Sequence, residues 1–177
     1  MSFRSFLLPC IAAMCLSACQ NMPEPYAPPE QRQAFENFRP YRIDEVIQMS
    51  DQEAPAHFVS GILDLNGSWR WTAQRPTLRL TMRSIDHLHY LIDFTIPGVT
   101  FDRTGPVTLS FFVNHRLLDK VRYTSPGVKH FDKPVPDGWV EANQETTVAA
   151  EIDKLYVSKK GAAPLGFILT SLGLKQE

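Results

Sequence analysis

The residues best suited to ligand chemistry are the aromatic and basic side chains of Trp69, Arg70 and Trp71. Successive side chains of a β-strand point to opposite faces, so Trp69 and Trp71 are predicted to share one face. Indole rings on one surface can stack against the C–H groups of a sugar, while Arg70 and Arg75 donate hydrogen bonds to hydroxyl or carboxylate groups. The alternative is that both rings point into the core, where each would bury about 150–250 Å².

A second group of polar candidates lies on the two predicted strands that follow. If the strands predicted at 76–83 and 88–96 pair in the register that sets Met82 near Tyr90, Arg79 falls opposite Asp93 and Arg83 falls opposite His89. Such a row suits a groove that binds a glycan, but it fits equally well a solvated face with weak cross-strand ion pairs. Trp139, just after a predicted turn, is a further candidate for an exposed ring.

Metal and catalytic sites are weakly supported by the residue spacing. His87 and His89 share a strand face, but a metal ion needs three or four ligands and no further ligand stands at a recognisable spacing. The sequence has no Gly-x-Ser-x-Gly, His-Glu-x-x-His or phosphate-binding glycine motif. We therefore expect no catalytic residues, no metal and no cofactor. The carboxylates left for a glycoside hydrolase site are Asp86, Asp93, Glu141, Glu151 and Asp153.

Cys19 is a candidate for covalent modification. It ends the sequence Leu16-Ser17-Ala18-Cys19, which follows a positive charge at Arg4 and a short apolar stretch at residues 6–16. That stretch is shorter than the about 20 residues that span a bilayer. The arrangement resembles the signal peptide and lipobox of bacterial lipoproteins. The resemblance implies cleavage before Cys19, a diacylglycerol on its thiol and a fatty acid such as palmitate on its new amine.

The same resemblance implies a location. Gln20 follows the cysteine, where an Asp would signal retention in the inner membrane, so we expect a lipid anchor in the outer membrane and a periplasmic body. Two or more acyl chains hold a protein stably, because each buried methylene contributes about 0.8 kcal/mol. The alternative is an ordinary secretory signal with a chance cysteine.

Composition narrows the classes of partner. Removal of the first 18 of the 177 residues would leave 159, which is enough for one domain. Only Arg4 would be lost among 18 basic and 19 acidic residues, which leaves a net charge of −2 and argues against nucleic acid. The body would contain no thiol and no disulfide, because the cysteines are Cys10, Cys15 and Cys19.

The chain divides into three predicted regions. Four prolines between residues 20 and 31 favour an extended polyproline II tether. A short helix is predicted at 29–38, and a short strand at 42–48 is an alternative to more tether. The regions are a signal peptide at 1–18, the lipidated cysteine with the tether and a short N-terminal segment at 19–56, and a β-sandwich domain at 57–177.

From residue 57 onward the apolar residues alternate with the period of two that is typical of half-buried strands. Asn114 and His115 predict a tight hairpin, because both residues tolerate positive φ. The alternation slips near Asp153, which predicts a β-bulge. The last run is apolar on both faces, so it is predicted to be central or covered by the N-terminal segment. The predicted strands are 57–65, 69–73, 76–83, 88–96, 106–113, 116–123, 128–135, 146–157 and 164–172.

These strands predict an all-β fold, a jelly-roll-like antiparallel β-sandwich of about nine strands. Over residues 61–174 the chain resembles the β-sandwich accessory domains found beside bacterial glycan-handling enzymes and in lipoproteins. The resemblance implies a domain that binds a saccharide or a cell-envelope glycan. The segments that carry it are Gly67-Ser68-Trp69-Arg70-Trp71-Thr72, Phe111-Phe112-Val113-Asn114, Ser125-Pro126-Gly127 and Leu165-Gly166-Phe167.

Three functions follow as hypotheses. The first is a membrane-anchored module that binds an exported polysaccharide, lipopolysaccharide or peptidoglycan. The second is a structural or assembly lipoprotein whose partner is another envelope protein. The third is a hydrolase with a carboxylate site. The exposure of Trp69 and Trp71 discriminates between the first two, because a saccharide can stack only on a ring that reaches the surface.

Overall fold

A computed structural model describes residues 46–63, 67–158 and 162–176 of the chain. Residues 42–177 cluster into one compact unit, to which all described residues belong. A 3₁₀ turn at Ala54–His57 precedes the second strand. The described strands and helix are β1 (Val46–Gln48), β2 (Phe58–Ile62), β3 (Arg70–Thr81), β4 (Leu88–Ile96), α1 (Gly98–Thr104), β5 (Val107–Val113), β6 (Arg116–Tyr123), β7 (Gly127–Pro134), β8 (Glu145–Ile152) and β9 (Ile168–Gln176).

The strands form an antiparallel sheet that folds into two layers. Their order is β6-β5-β8-β3-β9-β4-β7, with β1 paired to β9 and β2 paired to β3. Strand β3 belongs to both layers, because Arg70 and Trp71 pair with β9 whereas residues 77–81 pair with β8. We call the layer of β1, β9, β4 and β7 layer A, and the layer of β2, β8, β5 and β6 layer B. This architecture confirms the predicted jelly-roll-like antiparallel β-sandwich.

The core lies between the two layers and follows the sequence alternation. In β4 every second residue from Leu88 to Ile96 is buried, and the residues between them are partly exposed. Tyr90 spans the core, because its hydroxyl donates a 2.9 Å hydrogen bond to the carbonyl of Ala149 in layer B. The Phe111 ring stacks on the Phe131 ring with their centroids 3.8 Å apart. These contacts hold the two layers face to face.

The side of the sandwich formed by β6 and β7 is closed by an ion pair. Lys133 lies opposite the inward-pointing Tyr90, and its Nζ is 2.7 Å from Asp119 Oδ2 on β6. The hydrogen bond from Lys133 lowers the pKa of Asp119 from its ordinary value. An inward-pointing lysine on an edge strand also discourages pairing with another chain. Nearby Tyr123 is half-buried, and burial raises its pKa to about 12.

Several sequence predictions are confirmed at the level of single elements. The runs predicted at 88–96, 106–113, 116–123 and 128–135 correspond to β4, β5, β6 and β7 within one residue. Asn114 and His115 form the tight hairpin between β5 and β6, with φ values of 46° and 64°. Strand β9 is central, since it pairs with β1, β3 and β4.

Other predictions need correction. The two strands predicted at 69–73 and 76–83 are one strand, β3, which bulges between them. The bulge predicted near Asp153 is wrong, because β8 ends at Ile152 and Asp153 instead accepts a hydrogen bond from the Thr108 amide at 2.7 Å. The last strand runs from 168 to 176 rather than from 164 to 172.

The N-terminal predictions are only partly within the described residues. Strand β1 covers 46–48 of the strand predicted at 42–48. The predicted helix at 29–38, the tether and Cys19 lie outside the described residues. The helix α1, which follows Pro97, was not expected from the sequence. Neither it nor any other helix in the described ranges is long and apolar enough to cross a membrane.

Candidate functional site

The start of β3 places Trp71 on the outer surface of layer A. Trp71 is partly exposed, and the residues on either side of it, Arg70 and Thr72, are buried. Trp71 pairs with Ile168 on β9, and Ile168 pairs with Thr95 on β4. Because directly paired residues point to the same face, these three side chains form an outward row across layer A.

Trp69 lies just before β3 and is 46 % exposed. The structure therefore brings both rings of the predicted pair to the outside. Neither ring belongs to the hydrophobic core, in contrast to Trp139, which is partly buried against it. This outcome is the one that the saccharide hypothesis required.

The Arg70 side chain does not reach the surface, where it was predicted to contact a ligand. Its side chain turns inward and is only 3 % exposed, with its guanidinium carbon 6.0 Å from the centre of the Phe58 ring. Its Nε and Nη1 atoms are buried without a hydrogen-bond partner. Arg70 therefore cannot reach a ligand that lies on the outer face of layer A. The alternation that turns the indoles outward turns Arg70 inward.

Contacts with the segment before β9 hold this part of β3 in place. The Thr72 hydroxyl donates to the Phe167 carbonyl at 3.0 Å and accepts from the Phe167 amide at 3.1 Å. The Gly166 amide donates to the Thr72 carbonyl at 2.7 Å. A Cβ at Gly166 would lie 2.6 Å from the Ala73 carbonyl oxygen, so only glycine permits this approach. These contacts fix the backbone of β3 next to Trp71.

Polar groups lie next to the tryptophan row. Asp93 is two residues from Thr95 on the same face of β4, and its Oδ1 is 2.6 Å from His130 Nδ1 on β7. Its Oδ2 accepts a 2.8 Å hydrogen bond from the buried hydroxyl of Ser171 on β9. The carboxylate is therefore fixed by two neighbouring strands, yet its side chain remains 43 % exposed.

We call this surface the Trp71 face and define it by six residues on the outer side of layer A, of which Ser171 is itself buried. A second histidine–carboxylate pair, between His89 Nδ1 and Asp132 Oδ1 at 2.6 Å, lies beside it. In the described part of the chain no group of three or more potential ligands is arranged to hold a metal ion. The residues of the Trp71 face are Trp71, Ile168, Thr95, Asp93, His130 and Ser171.

The predicted pairing of Arg79 with Asp93 and of Arg83 with His89 is wrong. Strands β3 and β4 are not neighbours at these positions, because β3 pairs with β8 while β4 pairs with β7 and β9. Arg79 lies opposite Thr147 on the outside of layer B, with its Nη1 4.0 Å from Glu145 Oε2. Arg79 and Asp93, which were predicted to form one polar row, therefore lie on opposite sides of the molecule.

Arg75 and Trp139 are also remote from the Trp71 face. The Arg75 guanidinium lies over the Phe112 ring at 4.2 Å on the outside of layer B, and its Nη1 is 3.4 Å from Glu151 Oε2. Trp139 packs beside the β5–β6 hairpin, where the Asn114 amide donates a 2.9 Å hydrogen bond to its carbonyl. Of the predicted ligand-binding residues, the structure places Trp71, Asp93 and His89 on the outer side of layer A, and Trp69 is exposed just before β3.

Three residues of this side were missed from the sequence: His130, Asp132 and Ser171. Their partners are 37 to 78 positions away in the chain, and only the pairing of β4 with β7 and β9 brings them together. A weak local signal existed, since His130 and Asp132 alternate on one strand in the same way as His89 and Asp93.

Comparison with known proteins finds similarity among solved structures. No family model matches the chain, and no curated protein matches it. Among solved structures, a family 35 carbohydrate binding module from an environmental isolate is 15 % identical, with a TM-score of 0.42, covering 75 % of this chain and 96 % of that one. One from Clostridium thermocellum is 9 % identical, with a TM-score of 0.40 and coverage of 75 % and 89 %.

Proposed function

We propose that this chain binds a saccharide through the Trp71 face. The observation that carries the proposal is that Trp69 and Trp71 both point outward, whereas large aromatic rings usually contribute their area to the core. A sugar ring presents C–H groups on its faces and hydroxyls on its edges. The Trp71 face offers the complementary arrangement, with the Trp71 indole for the C–H groups and fixed polar groups beside it, and the exposed Trp69 ring lies two residues earlier in the chain.

Asp93 and His130 would supply the polar contacts. Asp93 is held by His130 and Ser171, so little side-chain entropy remains to be lost when a hydroxyl binds to it. A carboxylate oxygen has room for more than one hydrogen bond, so these contacts leave acceptor capacity for a ligand. The two residues are therefore proposed to orient the sugar, and the indoles to provide most of the affinity.

Tryptophan fluorescence tests this proposal. In a Trp139→Phe background the emission comes only from Trp69 and Trp71, since the chain has three tryptophans. We expect strong quenching by acrylamide and a saturable change on addition of an envelope glycan. Replacement of Trp71 by Ala should weaken binding by about tenfold or more, about 1.4 kcal/mol. Emission that resists acrylamide and responds to no polysaccharide, lipopolysaccharide or peptidoglycan preparation would refute the proposal.

We also propose that the domain is not an enzyme. Ser171, Asp93 and His130 are joined in a line, but the carboxylate stands in the middle and the serine hydroxyl bonds to it rather than to the imidazole. A serine nucleophile is activated by a histidine that removes its proton, which this order does not provide. Hydrolysis of chromogenic ester or glycoside substrates that is abolished by Ser171→Ala would contradict this assignment.

The lipid anchor remains a proposal of its own. It rests on the lipobox sequence ending at Cys19 and places the protein in the outer membrane with its body in the periplasm. In the Cys19→Ala variant we expect an uncleaved precursor without lipid, detected by mass spectrometry and by loss of fatty-acid labelling. Normal cleavage and labelling of that variant would exclude the anchor.

A protein partner is the second candidate function, and one observation favours it. The row of Trp71, Ile168 and Thr95 continues to Val128 on the edge strand β7, which is 80 % exposed. Exposed apolar groups in a row also suit a protein interface. A Val128→Asp substitution distinguishes the two functions: it should abolish capture of an envelope protein by this face, but leave glycan binding at the indoles unchanged.

A further inference from the structure

A polar depression lies on the opposite side of the molecule from the Trp71 face. It occupies about 280 Å³ on the outside of layer B. Ligand sites commonly have volumes of about 300–1,000 Å³, so this depression is just below that range and has room for one small molecule only. Five polar residues line it: Thr108, Ser110, Lys120, Glu151 and Asp153.

Strand register explains the arrangement of these residues. Ser110 on β5 is paired with Lys120 on β6 at one side and with Glu151 on β8 at the other. Neighbouring strands are about 4.8 Å apart, so Lys120 and Glu151 are separated by about 9.6 Å of sheet. The depression therefore has hydroxyl groups on its floor, an ammonium on one wall and a carboxylate on the other.

The carboxylate wall is held in place. Arg75 lies 3.4 Å from Glu151 and simultaneously covers the ring of Phe112 at 4.2 Å, which limits the movement of both charged groups. The second carboxylate, Asp153, accepts a hydrogen bond from the Thr108 amide at 2.7 Å. Each of the two carboxylates thus has a polar neighbour that orients it.

The ammonium wall has a different character. Lys120 Nζ forms no ion pair in the described part of the chain, although it faces Glu151 across the depression. Among the described residues no ion pair joins Lys120 to Glu151, so the depression has a gap with a donor on one side and an acceptor on the other. A molecule that fits this gap must accept a hydrogen bond on one edge and donate one on the other.

We propose that this depression is a second binding site, and that it takes one sugar ring through a pair of neighbouring hydroxyls. One hydroxyl accepts from Lys120 Nζ and donates to a floor hydroxyl, and the next donates to the Glu151 carboxylate. Phe112 lies two residues beyond Ser110 on the same face, with its ring beneath the Arg75 guanidinium. The site shares no residue with the Trp71 face, so it stands whether or not that face binds a glycan.

Amide chemical shifts measured by NMR test this site. The probes are the methyl glycosides of glucose, galactose, mannose and N-acetylglucosamine, added to the full chain in a detergent without sugar groups. Glycerol is the probe for an open-chain polyol. We expect at least one glycoside to shift the amide signals of Thr108, Ser110 and Glu151 in a saturable manner, and glycerol to shift them far less.

Two variants and two controls make the test specific. Lys120→Met and Glu151→Gln should each weaken binding by about five- to tenfold, because each removes a charge-assisted hydrogen bond. Lys175→Met removes an exposed lysine on the other side and should change nothing. Trp71→Ala should leave the shifts intact, which separates this site from the proposed function.

Three results would each overturn the proposal. One is the absence of saturable shifts in the amides of the depression with every glycoside. Another is a response to glycerol equal to that of the glycosides, which would mean that no sugar ring is recognised. The third is unchanged affinity in both variants when their circular dichroism and melting temperature match those of the parent protein.

Discussion

At the scale of single residues, Arg70 is the least expected feature of this protein. Its neighbours Trp69 and Trp71 are exposed and partly exposed, respectively, and the alternation of side chains along the strand turns the Arg70 guanidinium inward. Two of the guanidinium nitrogens are buried there without a hydrogen-bond partner among the described residues. Arginine keeps its charge at any physiological pH. Buried nitrogens that lack a hydrogen-bond partner oppose folding, and the contact of the guanidinium with Phe58 offsets part of this cost.

Replacement of Arg70 by Met should therefore leave stability unchanged or raise it, by up to about 4 kcal/mol. Methionine fills a similar volume without burying polar atoms. The measurement is the urea midpoint of the variant against the parent, with Arg79→Met, at an exposed position, as the control that should change little. A loss of more than about 1 kcal/mol in the Arg70 variant alone would mean that the guanidinium has a favourable partner in solution.

At the scale of elements, the bulge in β3 decides which residues reach layer B. Between Ser60 and Ile62 the pairing advances by two residues on β2 but by five on β3, from Thr77 to Thr72. The extra residues include Arg75, which the bulge directs toward Phe112 and Glu151. Gly61 lies opposite the bulge with a φ of 75°, a conformation that residues with a Cβ rarely adopt.

Gly61→Ala should destabilise the domain by about 2 kcal/mol or more. The new Cβ would lie 2.8 Å from the Cα of Pro76, and the positive φ adds strain. Gly98→Ala is the matched control, because nothing lies within 4 Å of its added Cβ and its φ is not positive. Thermal unfolding of both variants gives the comparison. Equal melting temperatures would show that the bulge does not depend on Gly61.

At the scale of the whole molecule, two layers must stay together without a disulfide, since the three cysteines all lie in the first 19 residues. The layers are joined by the core aromatic rings and by the hydrogen bond from Tyr90 to Ala149. Burial raises the pKa of Tyr90 well above its ordinary value, and it raises that of Tyr123 to about 12. Both phenols are thus held neutral by the packing of one layer on the other.

The sandwich should consequently unfold in alkali. A tyrosine with a raised pKa stabilises the fold fully below pH of about 10, its unfolded value, and this contribution is lost as the pH rises toward 12. Ultraviolet absorbance should show that Tyr90 and Tyr123 ionise only together with the loss of circular dichroism. Tyr123→Phe should move the unfolding midpoint to higher pH. Ionisation of all five tyrosines near pH 10 in a folded protein would contradict this.

Much of the local structure was predictable because it depends on residues that are adjacent in the sequence. The alternation in β4 and the Asn114-His115 turn require only short-range information, and both appear where expected. The candidate site was only partly predictable. Trp69, Trp71 and Asp93 were identified as single residues, but Asp93 was predicted to lie opposite Arg79, which is wrong, and His130 and Ser171 were missed.

The amino-acid pattern alone predicted short antiparallel strands and a pair of nearby indoles, and the lipobox ending at Cys19 stays a prediction. Only the tertiary structure decided that the indoles face outward, that Arg70 is buried, and that Arg79 and Asp93 lie on opposite sides. The physical reason is that alternation defines two faces but does not say which one is inside. That choice depends on which strands pair and on how the two layers pack, and both involve residues far apart in the chain.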